Sequence, residues 1–358
     1  MMWRLMLALV ALLAFVIAPG ALAQPIAQVP TNATVVAGGL INPRGFTFAP
    51  DGALIVAEPG FAPPGFVPHM GQPTPLFQPG TSTTGRISRI DLTTGARSTV
   101  ADGLPSSAYG PTGDTLGPSS VAYLGSDLYA AIAAGPVHGW SFFPSGVYKV
   151  NPDGTVTLVA NLDVFNSKNP VSFIAPDDEI SNPYDMIAAG GALWVTDGNR
   201  QQIYRVTPDG TITRFIDLSG DHPVTTGLAR AQDGSLITVE LTPVPFPEGG
   251  GRVLRIGMDG QSTTLATGTT AATGVAIAPD GTIYIVEIST SLGRPPFFSP
   301  GTGRVARMDG DGTLTTIVGG LTFPTMARIG PDGALYVSNF SVEGDGGQGE
   351  IVRIQTRR

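Results

Sequence analysis

The chain has 358 residues and a formal net charge of −8; glycine (48) and proline (32) supply more than a fifth of it, charged residues only 13%. Helix breakers at that density exclude a helical bundle, and 42% hydrophobic content excludes a disordered chain. Two lysines (Lys149, Lys168) leave no basic patch for nucleic acid, and the lack of cysteine removes disulfides, thiolate metal sites and thiol nucleophiles.

The first predicted element is a leader. Arg4 precedes an apolar run of 14 residues, Leu5 to Ala18, broken by Pro19-Gly20 and followed by Ala21-Leu22-Ala23. That order predicts a signal peptide over 1–23, cleaved after Ala23. The run is shorter than the ~20 residues of a bilayer span. Residues 24–358 are then expected to form one secreted domain that makes no membrane contact after cleavage.

Downstream, one pattern recurs six times, apolar-x-Arg/Lys-apolar: Ile87–Ile90, Val147–Val150, Ile203–Val206, Val253–Ile256, Val305–Met308 and Ile351–Ile354, at intervals of 46 to 60 residues. Each copy alternates at period two, which predicts a strand. Upstream of each lies another strand pair, joined in four repeats by Asp-Gly turns at 51–52, 233–234, 280–281 and 332–333. Each unit is a four-strand meander, A to D, of propeller-blade size. The last unit lacks its fourth strand, and Thr34–Leu40 matches the D strands Thr99–Leu104 and Thr316–Leu321. The expectation is an all-β, six-bladed β-propeller closed by an N-terminal strand that completes the last blade. The Arg/Lys of strand C recurs in every blade and reads as architecture.

The A–B and C–D turns are short. The B–C connections, roughly 59–84, 133–145, 241–250, 288–302 and 340–349, are long, as are two D–A connections near 102–117 and 161–181. All the insertions fall on one face, where function is expected. Five B strands end at one equivalent position in Glu58, Asp197, Glu240, Glu287 and Asn339, with Ile132 the exception. Strand B is expected to lie close to the central axis, so that these ends form a ring at the channel mouth, beside Asn42, Arg44, Asn182, Asp185, Thr226, Thr273 and Thr325 at the start of strand A. Ligand-binding candidates are Arg44, Glu58, Asp185, Asp197, Glu240, Glu287 and Asn339. Convergent carboxylates suit a hard cation, so Glu58, Asp197, Glu240 and Glu287 are candidate ligands for Ca²⁺ or another divalent metal; pairing with arginines is the competing reading. His69, His138 and His222 fall in loops of this face and are the candidate general bases. Trp140, Phe142, Phe143, Phe246, Phe297 and Phe298 either line a pocket there or pack the loops together.

The stretch from Tyr184-Asp185-Met186 through Leu193–Asn199 to Gln202-Ile203 resembles an NHL repeat. Asn182-Pro183-Tyr184-Asp185, Phe246-Pro247-Glu248-Gly249 before Arg252-Val253, and Pro43-Arg44-Gly45-Phe46 running on to Glu58 are similar to the ScyD/ScyE family over nearly the whole mature chain. The resemblance implies a secreted six-bladed propeller; namesake members are tied to scytonemin pigment production, but the family is broader than that pathway. The gluconolactonase group holds a divalent metal with a Glu at its first blade start and Asn and Asp at later ones. Arg44, Thr226 and Thr273 stand near those positions here. Soluble quinoprotein sugar dehydrogenases need a His, Ca²⁺ and basic contacts to the quinone, and no motif of this chain matches them.

Two functions stay open at this point. One is a monomeric propeller that binds a small molecule or an extracellular protein on its long-loop face. The other is a divalent-metal-dependent hydrolase or lactonase with the metal at the channel mouth.

Overall fold

The computed structural model describes residues 32–62, 80–109, 114–135, 139–140, 142–174, 181–293, 297–342 and 347–356. The leader and its cleavage site, His69 and His138 lie outside the described residues. The first strand, β1 (Ala33–Leu40), stands apart from its sequence neighbours. Blade one is β2 (Phe46–Phe48), β3 (Leu54–Glu58), β4 (Thr81–Ile90) and β5 (Arg97–Tyr109), with β6 (Asp114–Leu116) added at its outer side. Blade two is β7 (Pro118–Leu124), β8 (Asp127–Ile132), β9 (Gly146–Val150) and β10 (Val156–Asn161), and runs into a short helix α1 (Leu162–Lys168). Blade three is β11 (Pro183–Ala189), β12 (Ala192–Asp197), β13 (Gln202–Val206) and β14 (Ile212–Asp217). Blade four is β15 (Thr225–Arg230), β16 (Leu236–Glu240), β17 (Gly251–Ile256) and β18 (Ser262–Thr269). Blade five is β19 (Ala272–Ile277), β20 (Ile283–Glu287), β21 (Gly303–Met308) and β22 (Leu314–Leu321). Blade six is β23 (Ala327–Ile329), β24 (Leu335–Asn339) and β25 (Gly349–Ile354), completed by β1.

The six-bladed propeller expected from the repeats is the observed fold, and β1 pairs antiparallel with β25 from Ala33↔Ile354 to Leu40↔Gly349. Second strands such as β3, β12, β16 and β24 are buried along their whole length. Apolar packing on both faces is why they read as near-continuous runs like Leu54-Ile55-Val56-Ala57. The outer strands β1 and β22 bury only a minority of positions and read as Thr- and Gly-rich. Cores sit between blades: Ile55, Ala57 and Ile87 of blade one pack on Val121, Ala130 and Ile132 of blade two. Phe46, Leu54 and Val56 likewise meet Met326, Tyr336 and Ile351 across the closing junction.

The first strand of each blade, not the second, is innermost, and these strands interlock around the axis. Gly45 N donates to Ser119 O (2.8 Å), Ser119 Oγ to Pro183 O (2.6 Å) and Leu228 N to Asp185 Oδ2 (2.9 Å). Thr226 Oγ1 then donates to Ala272 O (3.0 Å) and Thr273 Oγ1 to Pro324 O (3.4 Å). Thr226 and Thr273 therefore join blades. Two long connections also prove to be structured: the segment after residue 102 continues β5 and returns as β6, and the one after residue 161 begins with α1.

The six-fold basic residue of strand C pairs within its own blade in five cases. Arg89 bonds Asp51 (2.5 Å), Lys149 Asp127 (2.8 Å), Arg307 Asp309 (2.8 Å), Arg353 Asp332 (2.7 Å), and Arg255 Asp233. Such exposed pairs set register more than stability. The Asp-Gly turns between third and fourth strands do more. Gly154, Gly210 and Gly312 have φ of 85°, 86° and 86°, and each faces a carbonyl of the preceding blade's outer strand, at Val100, Val159 and Leu265.

A Cβ on Gly312 would stand 2.6 Å from Leu265 O, whereas one on Gly52, with nearly the same φ (85°), meets open space. Gly52→Ala is expected to cost about 1 kcal/mol in denaturant titration, through backbone strain alone. Gly312→Ala is expected to cost about 3 kcal/mol, because the blade interface must also part.

Candidate functional site

The acids that end the second strands do not meet at the axis. Each turns outward onto its own blade. Glu58 accepts from Arg86 (3.0 and 3.1 Å), Arg97 (2.6 and 2.9 Å), Ser88 Oγ (2.5 Å) and Ile41 N (2.6 Å). Glu287 accepts from the Arg304 guanidinium and from Thr270 N (2.6 Å). Glu240 takes the Arg252 side chain and its backbone N–H at 2.8–3.1 Å. Asp197 accepts from Tyr204 OH (2.6 Å), Asn182 N (2.9 Å) and Arg200 N (3.0 Å), and Asn339 from Thr322 N (2.9 Å).

The cause is register. Glu58↔Arg86, Asp197↔Gln202, Glu287↔Arg304 and Asn339↔Glu350 are direct cross-strand pairs, and side chains so placed interact with each other first. Their second partner is an N–H at the D–A corner, where Asn42, Ala271 and Phe323 hold φ of 50°, 49° and 49°. The ring of ligands expected at the mouth is thus replaced by a set of corner clamps. No three His, Asp or Glu side chains among the described residues are grouped to hold a metal ion. Glu58, Asp197, Glu240 and Glu287 do not fit a shared Ca²⁺ or other divalent ion, because their oxygens are already filled and they sit in four different blades.

One candidate does face the axis. Asp185 of β11 is fully buried, and accepts from Ser120 Oγ (2.9 Å), Met186 N (2.7 Å), Leu228 N (2.9 Å) and Arg328 Nη2 (2.5 Å). Arg328 belongs to blade six, opposite blade three, so this ion pair spans the axis.

Above it, on the long-loop face, lies a pocket of about 120 Å³. Blade three supplies Asn182, Tyr184 and Asn199; the 241–246 loop of blade four supplies Leu241, Thr242, Val244 and Phe246; His222, Val224, Asp114 and Phe298 complete it. A small extension under Asp114 reaches Arg44. Arg44 is buried, ion-paired to Asp114, and its guanidinium lies 5.8 Å from the centre of the Tyr184 ring. Burial holds the Tyr184 phenol above its ordinary range, with Arg44 opposing in part, so it is a hydrogen-bond donor at neutral pH. His222 is half-buried, with its ring 5.9 Å from that of Phe173. Phe246 and Phe298 wall the pocket while packing with Ala271, Ile288, Phe323 and Val342. The loop aromatics therefore do both things expected of them. Trp140, by contrast, bonds Ser107 Oγ (2.9 Å), Phe143 stacks on Tyr148, and Phe142 is fully exposed.

Backbone strain gathers at the same place. Of ten described non-glycine residues with positive φ, His222 (48°), Val224 (51°), Thr242 (69°) and Phe246 (58°) line this pocket, Val224 at the corner position that Asn42, Ala271 and Phe323 hold in other blades. Val224 and Thr242 are β-branched, for which that conformation is a true outlier. Strain of this kind is characteristic of binding and catalytic sites.

No protein-family model matches the chain, and no curated protein matches it. Solved structures do. A putative glucose dehydrogenase-type oxidoreductase from Thermus thermophilus is 18% identical, with 90% of this chain and 99% of that one covered at a TM-score of 0.59. A gluconolactonase from Xanthomonas campestris is 14% identical (90% and 89% covered, TM-score 0.56). The PQQ-bound aldose sugar dehydrogenase of Streptomyces coelicolor is 14% identical (92% and 100% covered, TM-score 0.55). At these identities the likeness is one of fold.

Burial raises the Asp197 carboxyl above the ordinary aspartate range. A raised folded-state pKa means that the folded chain holds the proton more tightly, so stability falls as pH rises from about pH 4 through the raised value. Asp197→Asn, which copies blade six at Asn339, removes that dependence. Its stability relative to the natural protein should rise with pH when melting is followed from pH 4 to 7. Asp197→Ala, which orphans three donors, should cost about 3 kcal/mol.

Proposed function

We propose that the protein is an extracytoplasmic propeller enzyme that opens an ester bond in a small, oxygen-rich molecule, sugar-derived lactones being the class to try first. The observation that carries this reading is the pocket. It is lined by an imidazole, a protonated phenol and two carboxamides against an aromatic wall, on strained backbone. The gluconolactonase and sugar dehydrogenase neighbours support the substrate class, and the leader supports export with cleavage after Ala23. The similarity to the ScyD/ScyE family is compatible with both.

In this mechanism His222 accepts a proton from water as the water attacks the ester carbonyl, and returns it to the departing alkoxide oxygen when the tetrahedral adduct collapses and the ester C–O bond breaks. Tyr184 OH donates to the oxygen that gains charge, and the Arg44 guanidinium beside it stabilises the developing anion through the ring and hydroxyl. Asn182 and Asn199, joined at 3.2 Å, orient substrate hydroxyls. Phe246 and Phe298 exclude bulk water. No step uses the B-strand carboxylates.

Acid release from gluconolactone-class substrates is the direct assay. His222→Asn is expected to lower kcat/KM by about 10²-fold or more, and Tyr184→Phe by ~10²-fold, without loss of fold. Stoichiometric binding without turnover would return the pocket to ligand capture.

A further inference from the structure

We infer that the Arg328 guanidinium is a built-in cation on the propeller axis, standing where a divalent metal ion would otherwise have to balance Asp185. This goes beyond the proposed reaction and does not depend on it.

The argument begins with equivalent positions. The residues of the inner strands level with Asp185 are Gly45, Ser120, Gly227, Gly274 and Met326, so a single carboxylate enters this layer from six blades. Ca²⁺ needs six to eight oxygens, commonly from several acids. Asp185 alone cannot supply them, and its two oxygens already accept four hydrogen bonds. Glycine at three of the positions serves another purpose: a Cβ on Gly227 would stand 2.8 Å from Gly274 Cα, and one on Gly274 2.5 Å from Thr325 O. The inner strands approach too closely there to carry further ligands.

Charge gives the same answer. A buried carboxylate with no cation would be costly. Arg328, with its side chain 16% exposed against 0% for Asp185, supplies that cation from the opposite blade. Its other contacts are to protein carbonyls, Ala327 O at 3.0 Å and Met186 O at 3.4 Å. One layer up, Arg44 and Asp114 form a second neutral pair. Arg328 thus matches Asp185 one for one, and a divalent ion entering the axis would meet a guanidinium with no unmatched acid among the described inner-strand residues level with Asp185 to receive it.

The experiment is a thermal melt of the mature protein with chelator, with added Ca²⁺ and without either, together with its metal content. The natural protein is expected to melt at the same temperature in EDTA and in Ca²⁺. Arg328→Met leaves Asp185 unbalanced and should lower Tm by about 5–10 °C, with no recovery in Ca²⁺, because Asp185 alone cannot complete that ion's oxygen shell. The double variant Arg328→Met/Asp185→Asn should melt above the single one and ignore Ca²⁺; if the single variant does not fold, recovery of folding in the double variant carries the same meaning. A stoichiometric metal in the natural protein whose removal lowers Tm, and which Asp185→Asn abolishes, would overturn the inference. So would an Arg328→Met protein as stable as the natural one.

Discussion

A ring of six sheets depends on the strand pair that shuts it, and here that pair is non-covalent. With no cysteine in the chain, the junction between the last blade and the first is held by the β1–β25 ladder and by the apolar contact of Phe46, Leu54 and Val56 with Met326, Tyr336 and Ile351. Every other feature assumes that closure. The hydroxyl-to-carbonyl bonds between successive inner strands, and the ion pair from blade six to blade three, have their geometry only when six blades subtend a full turn.

Within that ring the acidic residues divide by depth. Those ending the second strands brace corners, those of the hairpin turns pair with strand-C bases or cap their own turns, and Asp185 reaches the axis. What remains for chemistry at the mouth is mostly uncharged: carboxamides, a phenol, an imidazole and aromatic walls. A pocket of that kind binds through hydrogen bonds and shape. It owes little to the net negative charge of the chain.

The blades, their order, the closing strand and the Asp-Gly turns were legible because they repeat, and repetition turns a weak strand signal into a strong one. The B-strand acids were legible as a repeated position but not in direction. The sign was present in the residues that open strand C: Arg86, Arg252, Arg304 and Glu350 each follow a glycine and stand across from, or beside, those acids. The axial pair was beyond reading, since Asp185 and Arg328 are 143 residues apart and no repeat links them. Tyr184, Asn182 and Asn199 fell inside stretches already singled out, whereas Thr242 comes from a non-repeating loop whose backbone angle leaves no mark in residue type. Of the three histidines, only His222 falls among the described residues, and the structure sets it in the pocket.

The closing ladder also orders events in time. β1 emerges from the ribosome, or from a translocation pore, more than 300 residues before β25, its hydrogen-bonding partner. Until then it is an unpaired strand, and the neighbouring blade presents an open edge to other chains. Formation of the finished ring must therefore be a late, all-at-once step that waits for β25. Any process that threads this chain through a membrane has to keep its first strand from pairing elsewhere for nearly the whole of its passage.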